Sequence, residues 1–210
     1  MKQNKSSATQ IVSRRSVLKG GAAAVSSFLL VPRQVLGKNA SAAPNEKLNV
    51  AVIGTGGRGT QHMKELLRQD DVKVVAICDV TKEADYSRFY YGGVAGRGPA
   101  EEIVNMYYAD NEETKHYGKC GVYLDFRKMF DKEKEIDAVV VATPDHGHAI
   151  TAIGAIERGK HVYCEKPLAP TVYESRKITE AARKMGVATQ LGNQGHSGEG
   201  IRQTVEWIRD

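Results

Sequence analysis

Cysteine, tryptophan and long apolar runs are all scarce in this sequence. The 210 residues include three cysteines and one tryptophan. Because Cys78, Cys120 and Cys164 form no C-x-x-C pair, the sequence predicts neither a disulfide framework nor a zinc site. Cys78 and Cys164 lie in apolar segments, where we expect their thiols to pack as small apolar side chains. The apolar run from Gly20 to Val31 is too short for a stable membrane anchor.

Acidic residues are absent from the first 42 residues, which hold seven lysines and arginines. The whole chain has 30 basic and 25 acidic residues, a net charge of +5. Without those first 42 residues, 23 basic residues face 25 acidic ones, a net charge of −2. The basic character therefore belongs to the N-terminal segment, and we expect no nucleic-acid partner.

The N-terminal segment has the order of an export signal. Arg14 and Arg15 precede the apolar run, and Ala40-Ser41-Ala42 follows it as an A-x-A-like cleavage site. Two adjacent arginines before an apolar segment rich in glycine and alanine resemble a twin-arginine signal. We therefore expect residues 1–42 to be a signal peptide read by the twin-arginine export machinery. The protein is then exported, in the simplest case to the periplasm.

A strand-like run leads directly into a glycine-rich turn. Leu48–Ile53 is followed by G-x-G-x-x-G, formed by Gly54, Gly56 and Gly59. The first glycine permits a tight turn, the second lets the backbone approach a pyrophosphate, and the third lets a helix pack on the strand. The N-terminus of that helix favours phosphate. The turn predicts a dinucleotide site, and Arg58 within it is included among the predicted cofactor-binding residues.

A carboxylate follows the next apolar strand. Asp79 comes directly after Val72–Cys78, twenty residues beyond Gly59. At this position a carboxylate hydrogen-bonds the adenosine ribose, and its charge repels a 2′-phosphate. The sequence therefore favours NAD over NADP, with a solvated loop carboxylate as the alternative interpretation of Asp79.

Strand-like runs alternate with helical patterns along the rest of the chain. The predicted strands are Leu48–Ile53, Val72–Cys78, Val122–Leu124, Asp137–Ala142, His161–Cys164 and Val187–Leu191. Apolar spacing predicts a helix over Ala149–Arg158, and Thr171 with Glu174 forms a capping box for a helix ending at Gly186. The alternation predicts an α/β protein with a doubly wound parallel sheet, the Rossmann fold.

Two segments depart from this plan. The tyrosine-rich residues 85–110 are predicted as a helix, a glycine-rich loop and a second helix. Their tyrosines are interpreted as packing an insertion onto its domain, with a sugar platform or a subunit contact as alternatives. At the other end, the apolar stripe Ile201, Val205 and Ile208 reaches Asp210 without a C-cap. We therefore expect a fragment, in which residues 43–195 form the dinucleotide-binding domain and residues 196–210 begin a second domain.

One turn after a predicted strand should line the cofactor. Thr143, Pro144 and His148 follow Asp137–Ala142, and ligands of doubly wound sheets lie at the carboxyl ends of the strands. We expect these three residues beside the pyrophosphate and the nicotinamide ribose. His146 and His148 form an H-x-H pair, but no cysteine or carboxylate set completes a metal site. A hydrogen-bonding role for His148 is therefore favoured over metal ligation.

Two further strand ends carry polar residues. Glu165-Lys166-Pro167 follows one of them, and Pro167 is a candidate for a cis peptide bond. Beside a nicotinamide, the Lys166 ammonium can stabilise an alkoxide or pass on a proton, so Lys166 is the predicted catalytic residue. Glu165 and Lys166 are also counted among the cofactor-binding residues. Asn193, after the last strand, offers a donor and an acceptor to the carboxamide or ribose.

These motifs together resemble the Gfo/Idh/MocA oxidoreductases, the glucose–fructose oxidoreductase and inositol dehydrogenase family. The resemblance covers residues 48 to about 200 and rests on Gly54–Gly59, on Ala142-Thr143-Pro144 with His148, and on the E-K-P tripeptide. It implies an NAD(P)-binding domain, followed by an α+β substrate domain that is largely missing from this sequence. It also implies a sugar or polyol substrate.

The resemblance further implies that Lys166 sits by the nicotinamide and works with an aspartate and a histidine of the second domain. It implies homo-oligomers formed through that domain when the protein is full length. One branch of the family hydrolyses glycosides through transient NAD-dependent oxidation and lacks the E-K-P lysine. Because Lys166 is present, an oxidoreductase is favoured. A glycoside hydrolase and a non-catalytic nucleotide-binding module are the alternatives. The fragment alone is expected to bind nucleotide weakly and to catalyse no turnover.

Overall fold

The computed structural model describes residues 47–88 and 93–209. The predicted signal peptide, residues 1–42, lies outside them, as do the tyrosines at positions 90 and 91. Among the described residues, no helix combines the length and the apolar character needed to cross a membrane.

The described residues form a series of alternating strands and helices. The strands are β1 (Leu48–Ile53), β2 (Val72–Cys78), β3 (Ala84–Asp85), β4 (Val94–Ala95), β5 (Gly121–Tyr123), β6 (Ala138–Val141), β7 (His161–Glu165) and β8 (Thr189–Gly192). The helices are α1 (Arg58–Leu66), α2 (Arg97–Asp110), α3 (Phe126–Lys132), α4 (Asp145–Ile156), α5 (Val172–Met185) and α6 (Glu199–Arg209). A 3₁₀ helix, Gln194–Ser197, lies between β8 and α6.

Six of these strands form one parallel sheet in the order β5-β2-β1-β6-β7-β8. The strand order reverses between β1 and β6, which confirms the predicted doubly wound sheet. The bounds of β1 and β2 match the prediction, and those of the other predicted strands differ by two residues or fewer. Because the carboxyl ends of all six strands lie at one edge, the predicted site segments meet there.

Both faces of the central strands are buried. Ala51 and Ile53 pack with residues of α3, α4 and α5, whereas Val50 and Val52 pack with residues of α1 and α2. Strands covered on both faces read as continuous apolar runs, which is the pattern seen in β1, β2 and β6.

The cysteines occupy this apolar interior as free thiols. Cys78 and Cys164 are buried in β2 and β7, as predicted, and Cys120 is buried beside β5. Burial, followed by the nearby carboxylates Asp79 and Glu165, raises the pKa of Cys78 and of Cys164 to about 12. Protonated thiols at neutral pH serve as small apolar side chains.

The tyrosine-rich insertion differs from its prediction. The first of the two predicted helices is wrong, because β3 and β4 pair there as two short antiparallel strands. The Asp85 carboxylate accepts from the Ser87 amide and hydroxyl, and Gly93 takes a φ of +88°. Both features turn the chain locally and so compete with a helix. The second predicted helix is present as α2.

The helix signals were more accurate elsewhere. Thr171 Oγ1 accepts from the Glu174 amide at 3.2 Å, and α5 ends at Gly186, whose φ is +67°. This confirms the capping box and the C-cap. Helix α4 begins at Asp145, four residues before its predicted start. Helix α6 is present, and its Trp207 is 75% exposed.

Candidate functional site

The glycine-rich turn packs the end of β1 tightly against its neighbours. Gly54 has a φ of +90°, and a Cβ there would lie 2.5 Å from the Ala142 carbonyl oxygen at the end of β6. A Cβ on Gly59 would lie 1.7 Å from the Gly54 carbonyl oxygen. Neither glycine leaves room for a side chain, as the motif predicts. A Cβ on Gly56 would instead meet the hydroxyl of Tyr86 at 2.9 Å.

Helix α1 begins directly behind this turn. Its N-cap is Gly57, which has no side chain that could cap the first turn by hydrogen bonding. The first amides of a helix and its positive dipole end favour an anion. The missing Cβ of Gly56 and the uncapped amides together form a cradle that suits a pyrophosphate.

Asp79 is tied to the same turn. Its Oδ2 accepts from the Thr55 amide at 2.6 Å and from the Thr55 hydroxyl at 3.3 Å, and its Oδ1 accepts from the Thr81 amide at 2.8 Å. The half-buried carboxylate therefore has a defined position, and its remaining lone pairs suit further donors. Thr55, which is fully buried, was not singled out in the sequence.

The turn after β6 is held by a buried imidazole. His148 is 1% exposed; its Nε2 lies 2.8 Å from the Thr143 carbonyl oxygen and its Nδ1 lies 2.6 Å from the Pro167 carbonyl oxygen. His148 thus joins the β6 turn to the E-K-P turn, while His146 is exposed.

Two cofactor-binding candidates stand beside this imidazole. Pro144 is the N-cap of α4 and is exposed. The Thr143 hydroxyl oxygen is buried and, among the described residues, has no hydrogen-bond partner. A buried hydroxyl without a partner is rare in folded proteins. It therefore fits a site that binds a polar ligand.

Glu165 is the centre of a buried polar cluster. It is 5% exposed, and its Oε1 lies 2.5 Å from His62 Nε2 and 3.4 Å from Arg58 Nε. Gln194 donates to the same oxygen and, at 2.8 Å, to the Tyr163 hydroxyl. The cluster joins α1, β7 and the 3₁₀ helix at the edge where the strands end. Of these residues, sequence reasoning missed His62, Tyr163 and Gln194.

The partners of Glu165 keep it ionised. Burial alone raises the pKa of this carboxyl, but hydrogen bonds from His62, Gln194 and the Lys166 amide together outweigh burial and hold the pKa below its ordinary value. A buried carboxylate with several donors is stable as an anion. Glu165 therefore holds a negative charge directly beside the backbone of Lys166.

We expect Glu165→Gln to lower the free energy of unfolding at neutral pH by roughly 1–3 kcal/mol, because an amide cannot accept from all of these donors. A native pKa below the unfolded value of 4.5 stabilises the fold above that pH. The difference in the free energy of unfolding between wild type and variant should therefore disappear as the pH falls from 4.5 through the lower native pKa. Urea unfolding over an acidic pH series measures it.

The matched control is Glu206→Gln, at an exposed position of α6. Its unfolding should follow that of the wild type at every pH, because exposed side chains without partners contribute little. A Glu165→Gln protein with wild-type stability at neutral pH would show that the cluster does not stabilise the fold.

The remaining candidates are solvent-exposed. Lys166 is exposed at the end of β7, and the Lys166–Pro167 peptide bond is cis, as the sequence suggested. Asn193 is exposed as the N-cap of the 3₁₀ helix, and the inward-facing residue of that segment is Gln194. No group of three or more His, Cys, Asp or Glu side chains in the described part of the chain is arranged to hold a metal ion.

This geometry agrees with a family assignment. Residues 48–193 match the sequence profile of an oxidoreductase family with an NAD-binding Rossmann fold. The chain belongs to the Gfo/Idh/MocA oxidoreductase family. The match spans β1 to β8 and ends at Asn193, so all the site residues predicted from the sequence lie within it.

The family includes proteins of more than one activity. Glycosyl hydrolase family 109 protein 1 of Shewanella sp. (strain MR-4) is 31% identical over 189 residues, covering 82% of this chain and 37% of that protein. Inositol 2-dehydrogenase of Salmonella agona (strain SL483) is 28% identical over 140 residues, covering 66% of this chain and 34% of that protein. The chain thus spans little more than a third of the length of these relatives.

A solved structure supports the fold. GenD2 from gentamicin A biosynthesis, in complex with NAD, aligns with a TM-score of 0.61 and 21% identity. The alignment covers 83% of this chain and 42% of GenD2. At this identity the likeness concerns the Rossmann fold alone.

Proposed function

We propose that this chain is the dinucleotide-binding part of an NAD-dependent oxidoreductase acting on a hydroxyl group of a sugar or polyol. One observation carries the proposal. Arg58 of the glycine-rich turn contacts Glu165 at 3.4 Å, and Glu165 directly precedes Lys166. The phosphate cradle and Lys166, which is exposed at the end of β7, therefore lie at the same edge of the sheet.

The residues present fit a dinucleotide. The amides behind Gly56 would hold the pyrophosphate, Asp79 the adenosine ribose, and the unpartnered Thr143 hydroxyl a polar group of the nicotinamide half. Glu165 and Asn193 lie at the same edge of the sheet. Bound NAD would supply the group that accepts a hydride from the substrate carbon and, as NADH, gives one back.

Lys166 is the residue of this chain that assists transfer of the substrate hydroxyl proton. Lys166 directly follows β7, at the edge of the sheet where ligands of doubly wound sheets bind. There it can stabilise the substrate oxygen as an alkoxide or relay the hydroxyl proton to solvent. Because His148 Nδ1 contacts the Pro167 carbonyl oxygen at 2.6 Å, the turn that follows the lysine has a defined position.

Relatives support the substrate class. The inositol 2-dehydrogenase relative is named for a polyol substrate, which favours a carbohydrate-like hydroxyl as the reacting group of the substrate. The family 109 relative, at 31% identity, favours glycoside hydrolysis as the second candidate. Lys166 favours the oxidoreductase, because the family resemblance described above implies that the hydrolase branch lacks this lysine. We also propose export through the twin-arginine leader, and homo-oligomers of the natural protein.

The cofactor is tested by mass spectrometry of nucleotide released from the natively purified protein. We expect NAD, with Asp79 selecting it over NADP. In Asp79→Asn the charge is lost and one of the two acceptor oxygens becomes an amide donor, so the Kd for NAD should rise about tenfold or more. The Kd for NADP should change little or fall, because repulsion of its 2′-phosphate is removed. Isothermal titration calorimetry measures both constants.

Asp131→Asn, at an exposed position of α3, is the matched control and should bind both nucleotides as the wild type does. Released NADP in place of NAD, or equal NAD affinity in Asp79→Asn, would overturn the assignment of Asp79. Absence of any nucleotide binding by the wild type would overturn the proposed function itself.

A further inference from the structure

The tyrosine-rich insertion reaches the phosphate cradle. Tyr86 follows β3, and its hydroxyl would lie 2.9 Å from a Cβ on Gly56, with its ring carbon Cζ at 3.2 Å. The second glycine of the motif has no side chain, so a pyrophosphate can lie close to its α-carbon. The Tyr86 hydroxyl therefore lies on the side of Gly56 where the motif predicts the pyrophosphate.

We propose that Tyr86 is a cofactor-binding residue whose hydroxyl donates a hydrogen bond to the dinucleotide pyrophosphate, so that Tyr86, directly after β3, forms the outer wall of the cradle. This inference rests on the proposed function and extends it to a residue outside the glycine motif. A phenol O–H is a donor, and a phosphate oxygen is a charged acceptor, so the pair forms a charge-assisted hydrogen bond.

The hairpin is tied to the cradle through its backbone. The Tyr86 amide donates to the Gly93 carbonyl at 2.7 Å, which closes the hairpin. The Gly96 amide donates to the Thr55 carbonyl at 3.2 Å, inside the glycine-rich turn. The Arg97 amide donates to the Thr81 carbonyl at 3.0 Å. These bonds connect the hairpin to the loops after both β1 and β2, so the position of Tyr86 is set relative to Gly56.

A side chain strengthens the same connection. The Arg97 guanidinium donates to the carbonyl oxygens of Asp79, at 3.2 Å, and Val80, at 2.9 Å. The N-cap of α2, Gly96, has a φ of +128°, and a Cβ there would lie 2.7 Å from the Lys82 carbonyl oxygen. The hairpin base thus packs on the strand end that carries the ribose-binding candidate. A preorganised wall of this kind increases affinity because little ordering is needed on binding.

The experiment compares Tyr86→Phe with the wild type in the whole chain. The variant keeps the ring and removes the donor, so we expect its Kd for NAD to rise about tenfold. The same loss should appear with ADP-ribose, which carries the pyrophosphate without nicotinamide. It should be absent with adenosine, which carries no phosphate. Calorimetry measures the Kd for NAD and for ADP-ribose, and competition followed by NMR measures the binding of adenosine.

Tyr107→Phe, on α2, is the matched control, because Tyr107 packs on Tyr108 in the apolar cluster away from the cradle. It should bind NAD and ADP-ribose as the wild type does. Unchanged or tighter NAD binding by Tyr86→Phe overturns the inference, and tighter binding identifies the phenol as a competitor of the pyrophosphate. An equal loss with adenosine also overturns it. If the wild type binds no NAD, the proposed function fails first and this inference falls with it.

Discussion

Gly59→Ala is expected to lower the free energy of unfolding by about 3 kcal/mol or more. The added methyl group would lie 1.7 Å from the Gly54 carbonyl oxygen and 3.2 Å from the Ala142 side chain. The nearest of these is a backbone atom of the turn itself, so relief requires α1 to move away from β1 and β6. For a domain of this size the loss corresponds to a fall of roughly 6–12 °C in Tm. Thermal and urea unfolding followed by circular dichroism measure both quantities.

The control is Gly200→Ala, in α6, where an added Cβ meets no atom within 4 Å. Alanine favours a helix over glycine by about 0.5–1 kcal/mol, so this variant should unfold at the same or a slightly higher temperature. Any folded Gly59→Ala protein should also bind NAD more weakly, because the amides of α1 move with the helix. Wild-type stability of Gly59→Ala would show that the turn is not packed as described.

Lys166→Met is expected to lower the rate of hydride transfer by about 10²–10⁴-fold, the usual contribution of a positioned proton-transfer group. Methionine has a similar length and cannot carry a charge or a proton. The Kd for NAD should change little, because the proposed role of the lysine concerns the substrate oxygen. Single-turnover formation of NADH by the natural protein, with a panel of sugars and polyols, measures the rate.

Lys184→Met is the matched control, since Lys184 is exposed on α5 and belongs to no predicted site. Its rate should equal that of the wild type. Unchanged turnover in Lys166→Met would favour a bound nucleotide with a structural or sensory role. Release of an aglycone from a glycoside without net NADH accumulation would instead favour the hydrolase, the second candidate.

The backbone of the site was predictable because each part has a local signal. A glycine at a turn, a strand end and a capping box are recognised within a few residues, and the glycine turn and β1 were found where the sequence placed them. Pairing of parallel strands then brings Gly54 and Ala142 together, although they lie far apart in sequence. The β3–β4 hairpin was mispredicted because the hydrogen bonds between Asp85 and Ser87 and the positive φ of Gly93 compete with a helix there.

The partners of the site residues were not predictable in the same way. Glu165 and His62 are 103 residues apart, and Glu165 and Gln194 are 29 apart, so no local pattern links them. The spacing of His62 places it on the inner face of α1. This indicates that the side chain is buried, but it does not identify Glu165 as its partner. Asn193 was predicted because its side chain has a donor and an acceptor, and the sequence does not show that the neighbouring Gln194 faces inward.

The sequence by itself determined the parallel sheet, the glycine cradle, the carboxylate after β2 and the lysine after β7. Periodicity and turn chemistry act over short distances along the chain, and each of these features carries such a local signal. Only the tertiary structure decided that Glu165 is a buried anion and that Tyr86 stands against Gly56. Both depend on how helices and a hairpin dock on the sheet, and docking is set by the summed packing of many distant side chains.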